Sequence, residues 1–141
     1  MAWVLITGED VAFYQNALQM LRPADHDLVA APDGATVLQL LGDTARPMVV
    51  LLASRLGQMD VLEFLSAAAI DEVLRWRHAY LLLDGVPGEL PAEVERYRAE
   101  LAIPLVPTPG DVSDVDGWAD LLDAISLAAR QVTGEDRPIT A

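Results

Sequence analysis

The sequence predicts a doubly wound α/β domain, a five-stranded parallel sheet with helices on both faces. Two observations carry that prediction. Short apolar runs of strand length alternate along the chain with stretches whose apolar residues recur at helical spacing. The strongest run, residues 48–52 (Met-Val-Val-Leu-Leu), is apolar on both faces, as a strand in the middle of a parallel sheet must be.

Each element has its own signal. Trp3, Val4, Leu5, Ile6 and Thr7 form a buried first strand closed by Gly8. Tyr14, Ala17, Leu18 and Leu21 follow at helical spacing until Pro23 stops the helix. Residues 26–31 form a weaker second strand, and Asp33-Gly34 turns the chain into a helix carrying Val37, Leu38 and Leu41, with Gly42 just past its end. After the third strand, Leu62, Leu65, Ala69, Val73 and Trp76 mark one helix stripe. Residues 80–83 are the fourth strand, ended by Asp84-Gly85. Leu90, Val94, Tyr97 and Leu101 mark the next helix, with Pro91 near its start, where proline is tolerated. On its outer face Glu93 and Glu95 are spaced to pair with Arg96 and Arg98. Residues 103–106 lie between prolines as a fifth strand, and Trp118, Leu121, Leu122, Ile125, Ala129 and Val132 form the last stripe. Residues 1–132 then make one domain, and the polar residues 133–141 read as a flexible tail. Five strand–helix units favour the strand order 2-1-3-4-5, which places a site at the carboxyl ends of strands one, three and four.

Composition narrows the function classes. The net charge is −13, from 22 carboxylates against nine arginines and no lysine, a surface that repels phosphate backbones and argues against nucleic-acid binding. No apolar run approaches the roughly 20 residues a membrane span needs. There is no basic leader and no cysteine, so neither a signal peptide nor a thiolate metal site is expected, and a cytoplasmic location is.

Four segments resemble the receiver domain of bacterial response regulators, the CheY-like family of the flavodoxin-like folds. VLITGED looks like the family's first strand and acidic cluster, and APDGATVLQLL like its second strand–helix turn. RPMVVLLASRLGQMDVLEFL is the most specific match, similar to a third strand ending in aspartate, a loop, and Met-Asp-Gly-Leu entering the third helix. IPLVPTPGDVSDVDGW is similar to the fifth strand and the Lys-Pro-Phe turn. The resemblance covers about residues 2–132. It implies a site that phosphorylates an aspartate, using acids that hold Mg2+, a hydroxyl after the fourth strand and a lysine before the fifth-strand proline. The carboxylate attacks phosphorus while cations offset the charge on the phosphoryl oxygens. The resemblance also implies a cis bond between Thr108 and Pro109, since X–Pro is the one common place for a cis peptide.

This chain departs from that pattern position by position. The acceptor position matches Ala53, whose methyl group cannot attack phosphorus. The acidic pair matches Gly8 and Glu9, followed by Asp10. The hydroxyl position matches Asp84, and the lysine position matches Thr108, just before Pro109. The aromatic switch position of the fifth strand matches Leu105. No alignment slip can rescue a lysine, because the chain has none. Asp60 is better suited to supporting a helix N-terminus than to accepting a phosphoryl group, and Ser54 faces away from its neighbour Ala53.

The expected function is therefore a degenerate pseudo-receiver with no enzymatic activity. It acts in bacterial signal transduction by phosphorylation-independent contact with a protein partner or a second copy. The face for this contact is the fourth helix, fifth strand and fifth helix, approximately residues 90–101, 103–106 and 118–132. The alternative is a receiver-like domain that senses a small ligand or metal ion in the degenerate pocket. Glu9, Asp10 and Asp84 are the candidates for a hard cation such as Mg2+, but they read first as solvated loop-end acids, so no cofactor is expected. His26 and His78 each begin a strand without a ligand partner nearby in sequence, and Trp3, Trp76 and Trp118 read as core or edge packing.

Overall fold

The computed structural model describes residues 3–8, 11–24, 26–31, 33–44, 46–53, 55–56, 59–84 and 91–133, with the side chains of residues 24, 55, 56, 84 and 133 outside that description. Five strands form one parallel sheet: β1 (Trp3–Thr7), β2 (Asp27–Ala31), β3 (Val49–Leu52), β6 (Ala79–Asp84) and β7 (Leu105–Pro107). Two further strands, β4 (Arg55–Leu56) and β5 (Met59–Asp60), pair antiparallel as a separate two-stranded unit. The sheet order is β2-β1-β3-β6-β7. This corrects the expected numbering 2-1-3-4-5, because the β4–β5 hairpin enters the chain between the third and fourth strands of the sheet.

Among the described residues the α-helices are α1 (Val11–Leu21), α2 (Gly34–Asp43), α3 (Val61–Ile70), α4 (Glu72–Arg77), α5 (Ala92–Glu100) and α6 (Val115–Thr133), one more than expected. The single stripe expected from Leu62 to Trp76 breaks at Asp71. Its carboxylate accepts the amides of Val73 and Leu74, so a new helix starts there. The break changes the phase of the helix. Leu74 becomes the buried residue of α4, and Trp76, expected in the packing, is 69% exposed.

Two apolar layers sandwich the sheet, and β3 shows how alternation divides them. Val49 and Leu51 pack toward α1 and α6, with Phe13, Leu21, Trp118 and Ile125. Val50 and Leu52 pack toward the other layer, with Val37, Leu41, Phe64 and Leu74. All four residues of β3 are at most 1% exposed. Burial of each such side chain stabilises the fold by about 1.5–3 kcal/mol.

The Thr108–Pro109 peptide is trans, contrary to the expected cis bond; no described bond is cis. The reversal into α6 happens later. Asp114 accepts the amides of Gly110 and Gly117 through its two carboxylate oxygens, capping α6 and closing the turn. A β-carbon at Gly117 would collide with that carboxylate. Of the two ion pairs expected on α5, Glu95–Arg98 is present, while Arg96 lies over the Tyr97 ring.

His78, just before β6, is 3% exposed and ties three elements together. Its Nδ1 accepts the Met48 amide at 3.1 Å, and its Nε2 donates to the Leu41 carbonyl at 2.9 Å. Both bonds need the neutral ring protonated on Nε2. Burial, helped by the charge of Arg77, lowers its pKa below the ordinary histidine value, although the bond to Leu41 opposes the shift. A depressed histidine gives stability that is complete above the unfolded value of 6.5 and is lost as the pH falls from there through the folded pKa. The urea midpoint is therefore expected to drop on acidification below 6.5, and to drop less in His78→Gln. An equal drop in both proteins would assign the acid sensitivity to carboxylates elsewhere.

Candidate functional site at the carboxyl ends of the strands

The predicted site lies where β1, β3 and β6 end. Gly8 leaves β1 with φ 96°, a conformation open to glycine, so the chain turns immediately after Thr7. Ala53 follows the last residue of β3 and is half-buried. The β1–β3 ladder ends at Ile6 opposite Leu51, and above it a side chain takes over. The Thr7 hydroxyl donates to the Leu51 carbonyl at 2.7 Å and accepts the Ala53 amide at 3.0 Å. Thr7 is 6% exposed. Ala53, expected at the acceptor position, is thus tied by its backbone to the neighbouring strand, and its side chain is a methyl group.

Sequence reasoning missed Thr7. The available signal was a β-branched residue with a hydroxyl at the last inward position of a buried strand, where only a hydrogen-bonded hydroxyl is tolerated. Thr7→Val keeps the shape but leaves two backbone groups without this partner. It is expected to cost about 1–3 kcal/mol in urea unfolding. Thr7→Ser keeps the hydroxyl and should recover most of that loss; a loss in Thr7→Ser with none in Thr7→Val would show that the methyl group, not the hydroxyl, matters.

The other predicted positions are distributed as follows. Leu105, expected at the switch position, is half-buried and pairs in register with Leu82. Thr108 is exposed and Pro109 buried beside it. Asp84 ends β6 opposite Pro107, with its side chain outside the described residues. Glu9, Asp10 and Ser54 also lie outside the described residues. Asp60 caps α3, accepting the Leu62 amide at 2.6 Å, which is the role expected of it. Among the described residues no group of three His, Asp or Glu side chains could hold a metal ion, and no helix is long and apolar enough to cross a membrane.

Solved structures provide the comparison. The chain is similar to a CheY-like response regulator receiver domain of Methanospirillum hungatei, with 18% identity, a TM-score of 0.73, and coverage of 96% of this chain and 98% of that one. It is also similar to the signal receiver domain of an HD domain-containing protein of Pseudomonas fluorescens, with 23% identity, a TM-score of 0.72, and coverage of 94% and 98%. The chain has the CheY-like receiver fold. A third receiver similar to it belongs to a sensor histidine kinase of Pseudomonas aeruginosa and has a magnesium ion coordinated in its active-site cleft; here identity is 14%, the TM-score 0.69, and coverage 91% and 97%. No family model and no curated protein matches the sequence. Within the receiver fold, Ala53 stands at the end of the middle strand.

Proposed function

We propose that the protein is an atypical receiver domain of bacterial signal transduction that acts without phosphorylation, through contact with a protein partner, and is not an enzyme. The observation that carries this reading is Ala53 at the end of β3, its amide held by Thr7, in a chain without lysine. A site with no nucleophile there and no lysine to offset phosphoryl charge cannot run the aspartyl phosphotransfer that the receiver fold hosts elsewhere. Leu105 at the switch position removes the aromatic ring that would report such a reaction. These features favour a domain held in one conformation over one that switches.

The face proposed for the partner is α5, β7 and α6. Glu93 and Arg96 are exposed on α5, as are Asp116, Asp120 and Asp123 on α6. Among the described residues its large exposed apolar side chains are Val115 and Leu127, both on α6. A polar face of this kind suits a small, reversible contact with another protein better than an apolar homodimer interface. A photo-crosslinker at position 96 is expected to trap a protein partner in cells, with a yield independent of phosphodonor supply. Loss of the adduct when phosphodonors are depleted would contradict the reading, and so would trapping only of a second copy. Ligand or metal sensing in the same pocket has less support, because the Thr7 hydroxyl is engaged on both sides.

A further inference from the structure

A cleft of about 280 Å³ opens at the amino ends of β6 and β7, at the opposite end of the sheet from Ala53. Small residues line it: Ala124 and Ala128 of α6, Ala79 at the start of β6, and Ala102 after α5. Larger side chains at these positions would fill the space, as they do elsewhere in this core. Its size falls near the lower end of small-ligand pockets.

Three features of the cleft are unexplained by partner docking at α5–β7–α6. Ala102 ends α5 with φ 55°, the left-handed conformation that glycine normally supplies at a helix end. Its amide bonds the Ala99 carbonyl, and the next amide, of Ile103, bonds the Arg98 carbonyl, so the strained turn is well fixed. A glycine would relieve the strain but remove a methyl group from the cleft wall. Next, Trp76 lines the cleft while remaining 69% exposed, with the Arg75 guanidinium 5.1 Å from its ring centroid. Finally, the described lining residues include Arg75 and no carboxylate, in a chain where acids outnumber arginines 22 to nine. His78 and Tyr80 also line the cleft, but their polar atoms are already bonded to Leu41, Met48 and Leu74, so they contribute shape only.

We propose that this cleft binds a small aromatic carboxylate, its ring packed against Trp76 and the alanine floor and its charge met by Arg75. Arg75 gives one donor to the Ala69 carbonyl at 3.3 Å and keeps others for a carboxylate. Such a site gives the protein a ligand input distant from the degenerate pocket.

Indole-3-acetate is a suitable probe, with indole-3-ethanol as its uncharged counterpart, read by amide chemical shifts of the intact protein. The acid is expected to perturb Trp76, Ala102 and Ala128 at millimolar concentration, and the alcohol to bind about tenfold or more weakly, as expected for one lost charge-assisted hydrogen bond. Arg75→Gln should erase that preference. Ala128→Leu and Ala124→Leu, each checked for cooperative unfolding, should fill the cleft and abolish the perturbation. Absence of perturbation at these residues in the wild type would overturn the proposal. Undiminished binding in either filled variant would overturn the site, and equal binding of acid and alcohol would overturn the carboxylate.

Discussion

Incubation with acetyl phosphate and Mg2+ is expected to leave the intact mass of the protein unchanged. On the proposed reading Ala53 holds the acceptor position, where its methyl group cannot attack phosphorus, and the expected effect is all or none. Transfer to a carboxylate needs an oxygen in line with the leaving group and positive charge on the phosphoryl oxygens. Ala53→Asp supplies the first requirement only. Its product should still be unmodified, because the chain contributes no lysine to supply the second. A hydroxylamine-labile adduct on the wild-type protein would refute the phosphorylation-independent reading. An adduct on Ala53→Asp alone would show that the remaining pocket had kept more of the chemistry than its residues suggest.

The largest loss of stability is expected from Trp118→Ala. Trp118 is fully buried, stacks on Phe13 with ring centroids 5.5 Å apart, and anchors the turn before α6. Its indole N–H donates to the Asp111 carbonyl at 2.9 Å and to the Gly110 carbonyl at 3.2 Å. Truncation opens a cavity between α1 and α6 and releases both carbonyls, at a cost of about 3–5 kcal/mol. That is a large share of the roughly 5–15 kcal/mol by which domains are stable. Trp118→Phe keeps the stacking and should cost less, about 1–3 kcal/mol, chiefly from the lost hydrogen bonds. Urea unfolding measures both, and a Trp118→Ala protein as stable as Trp118→Phe would show that packing against Phe13 contributes little.

The sheet was legible because each of its strands is an apolar run bounded by Gly, Pro or Asp, and burial on both faces of residues 49–52 leaves no competing pattern. What escaped were features that depend on a single hydrogen bond or a very short element. The β4–β5 hairpin has two-residue strands, too short for any periodicity. Asp71 reads as an ordinary surface acid within a helical stripe until its carboxylate is seen to cap α4. The trans bond at Pro109 had no signal in the sequence, and neither had the bonds from the Gly110 and Gly117 amides to Asp114 that close the following turn. At the site, the alanine at position 53 and the absence of lysine from the chain are plain residue identities. The Thr7 bridge is not, since it needs the register of β1 against β3.

The central claim is that the carboxyl end of the sheet is chemically closed and the domain holds one conformation. Amide chemical shifts recorded with and without beryllofluoride and Mg2+, an analogue of the phosphoryl group on aspartate, test it most directly. The account predicts unchanged shifts for Thr7 and Ala53 and along α5, β7 and α6. Saturable shifts at Ala53 that spread to Leu105 and α5 would contradict it, since they would reveal both an occupied pocket and a switch.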